Sequence, residues 1–237
     1  MNIGKSLHFY LFRDYSTKIY REKSMELNNI RSNRSDQSLI KEDENTKQKK
    51  EKKPVFDASI KIQNVVASVT FNQKFDLNAI VKGNPLVEYR PETFPGLVFR
   101  LKKPKTAILI FRTGKMVCTG AKSEKEAKRA VNKVVRELKK TGIIIPSKPE
   151  IKIVNIVASA NLMGKIELEE TVSFLSKVMY EPEQFPGLIY RMDDPKVVIL
   201  LFASGKLVCT GATNEETVYK AVEKLREQLE EYELIYH

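Results

Sequence analysis

Short stretches of alternating apolar and polar residues predict a chain rich in β-strands. In the middle of the chain this alternation covers residues 60–71, 87–90, 97–101, 106–111 and 116–119. Asp76 stands where a helix N-cap is expected, and Gly83 stands where a short helix over residues 77–82 would end. The pattern therefore predicts a strand, a short helix and then four strands separated by tight turns.

A long amphipathic helix is predicted after the last of these strands. Ser123 and Glu126 have the spacing of a capping box at its start, and Gly142 is suited to close it. Apolar residues then recur at the spacing of one buried helical face. They are Ala127, Ala130, Val131, Val134, Val135 and Leu138. We expect this helix to cover one face of the sheet.

The whole pattern occurs twice, with a constant offset of 91 residues and no gap. Residues 60–68 (IKIQNVVAS) recur as residues 151–159 (IKIVNIVAS), and aligning 60–139 with 151–230 gives 36 identities in 80 positions. The second copy of the helical face consists of Val218, Ala221, Val222, Leu225 and Leu229. The chain therefore contains two copies of one unit, related by a pseudo-twofold axis.

A sheet that is covered by helices on one face keeps the other face open. Side chains alternate along a strand, so Met116 and Cys118 are predicted to lie beneath the helix, and Val117 and Thr119 on the open face. The second copy repeats this arrangement around Cys209. We interpret both cysteines as small buried hydrophobic residues, because no other metal ligand is repeated with them.

Four phenylalanines are predicted to form two pairs at the ends of strands. A turn centred on residues 102–103 would place Phe94 directly opposite Phe111, and the matching turn would place Phe185 opposite Phe202. Aromatic residues in strands often belong to the core. Each pair here adjoins a rigid Phe-Pro-Gly sequence at a sheet edge, so the competing interpretation is a pair of apolar wedges for a ligand.

The charge of the chain is concentrated in one half. The 237 residues carry a net charge of +11. Residues 60–150 hold 19 basic and 7 acidic groups, a net +12, whereas residues 151–237 hold 9 and 14, a net −5. A strongly basic block favours a polyanionic partner. No apolar run approaches the roughly 18 residues of a membrane span, so no membrane partner is expected.

An enzyme on the same duplicated sheet, such as a nuclease or glycosylase module, is an alternative class of function. It would need a cluster of acidic, histidine or lysine side chains in a pocket. The two histidines, His8 and His237, stand at the ends of the chain, and the best acidic pair, Asp193 and Asp194, falls in a predicted hairpin turn. We therefore predict no catalytic activity, no cofactor and no metal site.

Several long motifs, in order and in both copies, closely resemble the TATA-box-binding protein family. They include FPGLVFR at residues 94–100, GKMVCTGAKSE at 114–124 and EPEQFPGLIYRM at 181–192. The resemblance covers about residues 57–232, and the cysteine within VCTGA is more similar to archaeal members. It implies an α+β saddle of two pseudo-symmetric repeats, in which a ten-stranded antiparallel curved sheet carries four helices on its convex face.

The resemblance also implies a function without catalysis. Members of the family are general transcription initiation factors that bind the minor groove of TATA-type promoter DNA, bend it by inserting phenylalanines, and nucleate assembly of transcription factor B and RNA polymerase. The expected location is the archaeal cytoplasm, on the chromosome, or the nucleus if the source is eukaryotic. A family paralogue that acts mainly as a protein-interaction module is the alternative, and the presence of all four phenylalanines argues against it.

Carried over residue by residue, the resemblance implies one extended DNA-binding site. The inserting rings are Phe94, Phe111, Phe185 and Phe202. The polar residues of the minor-groove surface are Asn64, Asn155, Thr119 and Thr210. Its apolar floor consists of Val66, Val157, Leu109, Leu200, Val117 and Val208, with Pro95 and Pro186 beside the rings. The expected phosphate contacts are Arg100, Arg191, Lys115 and Lys206.

The same resemblance implies a protein-binding loop in the second copy. Glu181, Glu183 and Gln184 match the family's contact site for transcription factor B. The first copy has Arg90 where the second has Glu181, so the partner is expected to dock on the second loop only. A homodimer through the apolar open face is a further option for the DNA-free protein.

The sequence divides into three parts. Residues 1–56 are predicted to be a flexible N-terminal extension, residues 57–148 the first repeat and residues 149–237 the second. Much of the extension is rich in charged and polar residues with few apolar ones, which is typical of disorder. Residues 1–24 are either an amphipathic partner-binding segment or the product of an upstream start assignment, with translation beginning at Met25.

Overall fold

The alternating segments fold into strands that join one long antiparallel sheet. The computed structural model describes residues 59–85 and 87–236, and the predictions for residues 1–56 lie outside the described residues. The strands of the first repeat are β1 (Lys61–Thr70), β2 (Val87–Tyr89), β3 (Leu97–Leu101), β4 (Thr106–Ile110) and β5 (Lys115–Ala121). Those of the second are β6 (Glu150–Asn161), β7 (Lys165–Ile166), β8 (Val178–Met179), β9 (Gly187–Met192), β10 (Val197–Phe202), β11 (Lys206–Ala212) and β12 (Ile235–Tyr236). The helices are α1 (Leu77–Gly83), α2 (Glu124–Lys140), α3 (Leu168–Phe174) and α4 (Glu215–Glu231).

Ten of these strands form a single sheet in the order β2-β3-β4-β5-β1-β6-β11-β10-β9-β8. Every neighbouring pair in it is antiparallel. The two repeats meet at the β1–β6 pair, where Val65 lies opposite Ile156, and β2 and β8 are the two edges. The predicted α+β saddle, a curved ten-stranded sheet with four helices in the described residues, is confirmed.

The long helices bury the faces that their sequences predict. The fully buried residues of α2 are Ala127, Ala130, Val131, Val134 and Leu138, and those of α4 are Val218, Ala221, Val222, Leu225 and Leu229. Val135 is only partly buried at the margin of the core. Met116 and Cys118 of β5 are fully buried in the same core, as predicted, whereas Val117 and Thr119 are half-buried on the opposite face.

Two predicted caps begin the helices of the first repeat. The Asp76 carboxylate accepts hydrogen bonds from two backbone N–H groups in the first turn of α1, at 3.0 and 3.2 Å. Ser123 Oγ accepts from the Glu126 N–H at 3.1 Å. The capping box differs from the prediction in its second bond, because the Glu126 carboxylate accepts from the N–H of Lys122 rather than from that of Ser123.

A small second sheet is a feature that the sequence pattern does not predict. It consists of β7 and β12, with Ile235 opposite Ile166. Each strand has two residues, which is too short for alternation to indicate a strand.

The turn between β3 and β4 corrects the predicted pairing of the first two phenylalanines. Leu101 lies opposite Thr106, so the turn is centred one residue later than predicted. The predicted register would require Pro104 to lie in the ladder opposite Leu101, where its missing N–H could not take part. The prediction that Phe94 stands directly opposite Phe111 is therefore wrong.

The second repeat shows the same correction. Phe202 lies directly opposite Gly187, two residues from the predicted partner Phe185. A shift of two residues leaves each side chain on the same face of the sheet, because the side-chain period of a strand is two. Only the direct cross-strand neighbours of the rings therefore change.

Candidate nucleic-acid interface

The sheet face that carries no helix has an apolar row in each repeat. The rows are Val98, Leu109 and Val117 in the first repeat, and Ile189, Leu200 and Val208 in the second. Most of these side chains are half-buried, and Leu200 is 8% exposed. Val98 and Ile189 are not among the predicted site residues. They lie directly opposite the predicted Leu109 and Leu200, and strand parity, which is the same in both registers, would have placed them on this face.

The centre of the open face is built from two crossed pairs on β1 and β6. Asn64 lies opposite Val157, and Val66 lies opposite Asn155. The pseudo-twofold axis relates one pair to the other. The structure therefore brings together the four central residues that the resemblance assigned to the minor-groove surface.

Each asparagine is held in one orientation by a glycine N–H. Asn64 Oδ1 accepts from the Gly120 N–H at 2.7 Å, and its Nδ2 donates to Thr119 Oγ1 at 3.3 Å. Asn155 Oδ1 accepts from the Gly211 N–H at 2.8 Å, and its Nδ2 donates to the equivalent threonine hydroxyl at 3.3 Å. Within the described residues, one Nδ2 hydrogen of each amide is left to donate to a ligand.

The two glycines adopt a backbone conformation that other residues avoid. Gly120 has φ +94° and Gly211 has φ +101°, which lie in the left-handed region. The register of β1 against β5, and of β6 against β11, shifts at these positions. This geometry turns each N–H toward an asparagine. The Thr-Gly-Ala sequence at both positions is the signal that would have marked these glycines as part of the site.

An aromatic pair lies at each end of the open face. The Phe94 and Phe111 ring centroids are 5.8 Å apart at an interplanar angle of 65°, and those of Phe185 and Phe202 are 5.8 Å apart at 64°. All four rings are half-buried, while Pro95 and Pro186 are exposed beside them. The edge-to-face geometry is one that aromatic pairs prefer. The predicted pairs therefore form, although not through direct cross-strand pairing.

A glycine beneath each pair makes the approach of the rings possible. A Cβ atom added to Gly96 would lie 2.7 Å from Phe94 Cε1 and 2.9 Å from Phe111 Cε1. At Gly187 the corresponding distances to Phe185 and Phe202 are 2.8 and 3.0 Å. No side chain fits there unless the rings move. The glycine of each Phe-Pro-Gly sequence thus belongs to the site, although sequence reasoning assigned it no role.

The predicted phosphate-binding cations are all exposed. Lys115 and Lys206 begin β5 and β11, and Arg191 projects from β9. Arg100 differs from its counterpart Arg191, because its Nε donates to Glu88 Oε1 at 3.0 Å. Glu88 is a further residue of this surface that sequence reasoning missed.

The predicted protein-binding loop lies between β8 and β9. Glu181, Glu183 and Gln184 are exposed, and the Glu181 carbonyl accepts from the N–H groups of Gln184 and Phe185 at 3.0 and 2.9 Å. The first repeat has the same turn around the carbonyl of Arg90. The two loops therefore share a backbone and differ in charge.

The remaining chemistry-bearing side chains form no cluster in the part of the chain that the structure describes. Burial raises the pKa of the Cys118 and Cys209 thiols to about 12, and neither is in a disulfide. Asp193 lies in an exposed ion pair with Lys177 at 2.6 Å. Within the described residues, no group of three or more His, Cys, Asp or Glu side chains could hold a metal ion. No helix of the described residues has the length and apolar character needed to cross a bilayer.

Fold and site together define a duplicated saddle with a pseudo-symmetric binding face on its sheet. The model of the family described as "Transcription factor TFIID (or TATA-binding protein, TBP)" matches residues 59–141 and 150–232. The chain belongs to this family, whose members are DNA-binding transcription factors and not enzymes.

Relatives and a solved structure agree with this assignment. The TATA-box-binding protein of Pyrobaculum calidifontis is 53% identical over 178 residues, which cover 75% of this chain and 89% of that protein. That of Methanothermobacter thermautotrophicus is 52% identical over 179 residues, covering 76% and 99%. The structure of Methanococcus jannaschii TBP has a TM-score of 0.67 at 49% identity, covering 73% and 98%. The predicted resemblance to archaeal members is confirmed.

Proposed function

We propose that this protein is a general transcription initiation factor that binds the minor groove of TATA-type promoter DNA. The observation that carries the proposal is one constellation present twice: an aromatic pair over a glycine at each end of the open face, and an asparagine oriented by a glycine N–H at its centre. The printed names of the relatives, each a TATA-box-binding protein, support the same function.

Selection of A·T pairs would follow from the chemistry of the central surface. In the minor groove, A·T and T·A pairs present only acceptors, and a G·C pair adds the guanine amino donor. The free Nδ2 hydrogens of Asn64 and Asn155 can donate to such acceptors. The surrounding valines and leucines offer no acceptor to a guanine amino group. The surface is therefore suited to A·T pairs and unsuited to G·C pairs.

Bending would be produced by the two aromatic pairs. Apolar side chains inserted into base steps from the minor groove unstack them and kink the duplex, and the TATA-binding proteins are themselves the standard example of this mode. Pyrimidine–purine steps such as TA unstack most readily, so deformability adds to the selection. We propose that Phe94 with Phe111, and Phe185 with Phe202, insert at the two ends, next to Pro95 and Pro186.

Phosphate contacts and partner contacts would complete the function. Arg100, Arg191, Lys115 and Lys206 are exposed and could meet the DNA backbone. The loop with Glu181, Glu183 and Gln184 connects β8 to β9, and its exposed side chains are accessible to a partner. We propose that it docks transcription factor B, which with RNA polymerase would build the initiation complex on the chromosome.

Equilibrium binding to two duplexes of equal length tests this function. One duplex carries a central TATA-type element, and in the other G·C pairs replace that element. We expect the A·T duplex to bind at least about tenfold more tightly, since each mismatched pair costs about 1–3 kcal/mol. Equal binding that weakens steeply with salt would mean phosphate attraction alone. That result would favour the paralogue that acts mainly as a protein-interaction module.

A further inference from the structure

The two ends of the open face differ in charge although their rings and glycines match. Glu88 on the edge strand β2 lies directly opposite Val98, so its side chain belongs to the open face. The equivalent residue on the other edge strand is Met179, which lies opposite Ile189 and is 53% exposed. One edge of the face therefore carries a carboxylate where the other carries a thioether.

The carboxylate of Glu88 is engaged with a proposed phosphate contact. Arg100 Nε and Nη2 donate to its two oxygens at 3.0 and 3.5 Å. The side chains are 61% and 59% exposed, and the hydrogen bond and charge of Arg100 hold the pKa of Glu88 below its usual value, with a smaller contribution from Arg90. Glu88 is therefore ionised at neutral pH and offsets the charge of Arg100.

The equivalent arginine of the second repeat is in a different state. Arg191 is in no ion pair within the described residues. The nearby carboxylate of Asp193 pairs instead with Lys177, whose Nζ donates to its two oxygens at 2.6 and 2.7 Å. All the side-chain N–H donors and the full charge of Arg191 are therefore open to a phosphate. This asymmetry runs opposite to the overall charge, since the first repeat is the more basic half.

An exposed ion pair of this kind contributes little to the stability of the fold. Its effect on a bound polyanion is larger, because Glu88 takes up two of the five Arg100 N–H donors, offsets its charge, and would stand near any DNA phosphate that Arg100 contacts. We propose that Glu88, through its ion pair with Arg100, lowers the affinity of the first repeat for the DNA backbone, so that Arg191 makes the stronger phosphate contact. This inference rests on the proposed function.

A double-mutant cycle tests the inference in the full chain. Arg191→Ala is expected to weaken DNA binding about tenfold and to reduce the salt slope by about one, whereas Arg100→Ala weakens it by about threefold or less. Glu88→Gln is expected to tighten binding about threefold, and in its presence Arg100→Ala should cost as much as Arg191→Ala. Met179→Glu, which places a carboxylate beside Arg191, should weaken binding and reduce the cost of Arg191→Ala.

Two results would overturn the inference. One is an equal loss from Arg100→Ala and Arg191→Ala in the wild-type background. The other is a gain from Glu88→Gln that persists when residue 100 is alanine, because the carboxylate would then act as a general charge. The side chains replaced in these variants are all exposed, so the substitutions should leave the unfolding temperature unchanged. Measuring that temperature for each variant is the control for folding. The residues are Glu88, Arg100, Met179 and Arg191.

The cycle also separates failure of this inference from failure of the proposed function. Phosphate contacts carry no sequence information, so the coupling between Glu88 and Arg100 is measured on both the A·T and the G·C duplex. A wild-type protein that does not prefer the A·T duplex contradicts the proposed function, and the cycle still decides the role of Glu88. Absence of binding to either duplex at low salt would overturn both.

Discussion

Glu124 and Glu215, the first residues of α2 and α4, cap each other's helices across the pseudo-twofold axis. Glu215 Oε1 accepts from the Glu124 N–H at 3.2 Å, and Glu124 Oε1 accepts from the Glu215 N–H at 3.3 Å. The first N–H groups of a helix have no partner within it, and the positive end of the helix dipole favours a carboxylate. This reciprocal contact ties the repeats together on the helical side of the sheet.

Loss of both caps is expected to destabilise the fold. Replacing Glu124 and Glu215 together with alanine should lower the free energy of unfolding by about 1–2 kcal/mol, because a helix cap contributes about 1 kcal/mol. Urea unfolding followed by circular dichroism measures this change. Glu216→Ala is the control, since Glu216 lies in the same turn of α4 and pairs with Lys220 rather than with the other repeat. A double variant as stable as the control would contradict the role given to the contact.

The orientation of the central asparagines leads to a prediction about base contacts. Asn64→Asp keeps the oxygen that accepts from Gly120 and replaces the donor by a charged acceptor. We expect binding to the A·T duplex to weaken about 10- to 100-fold, in line with the value of a good base contact. Asn214→Asp makes the same charge change at the N-cap of α4, where aspartate caps equally well. Similar losses in both variants would mean that charge alone is responsible.

The buried thiols lead to a prediction about reactivity and pH. Burial raises the pKa of Cys118 and Cys209 from 9.0 to about 12, with a smaller contribution from Glu126 at Cys118. Since the folded state holds these protons to a higher pH than the unfolded state, their contribution to stability is intact below pH 9 and is lost as pH rises toward 12. Alkylation by iodoacetamide at pH 8 should be far slower in the native protein than in urea. Equal rates would contradict this burial.

The acidic loop of the second repeat should act in partner binding and not in DNA binding. Reversing Glu181 and Glu183 to arginine is expected to abolish recruitment of transcription factor B to a preformed DNA complex and to leave affinity for the duplex at least as high. A gel-shift assay with both components measures the two effects separately. Glu92→Arg, in the equivalent loop of the first repeat, is the matched control. Recruitment that survives the double reversal would refute the assignment.

Much of the fold follows from local patterns in the sequence. The strands are predictable from the alternation of apolar and polar residues, and the buried helical faces from the helical spacing of apolar residues. Both patterns occur in each repeat, so each copy supports the prediction for the other. The exact 91-residue offset makes the duplication visible without any structure. The short β7–β12 sheet is not predictable, because two-residue strands have no periodicity.

Three features of the site needed the three-dimensional pairing. The register of β3 against β4 depends on where the ladder resumes after Pro104, and the parity of the side chains is the same for both registers. The role of Gly96 becomes evident only when both rings are placed above it. The role of Glu88 could not be assigned from sequence. Its ion pair with Arg100 joins β2 to β3, and it becomes visible only when the pairing of these two strands is known.

The bending of a TATA-type duplex, followed by fluorescence transfer between dyes at its two ends, tests the proposed insertion of the aromatic pairs. Wild-type protein should bring the ends closer on the A·T duplex only. Replacing Phe94 and Phe111 with alanine, or Gly96 alone with alanine, should reduce the change in transfer, whereas Phe99→Leu in the buried core should preserve it. Tight A·T-selective binding without any change in transfer, or unchanged bending after removal of both rings, would contradict the mechanism.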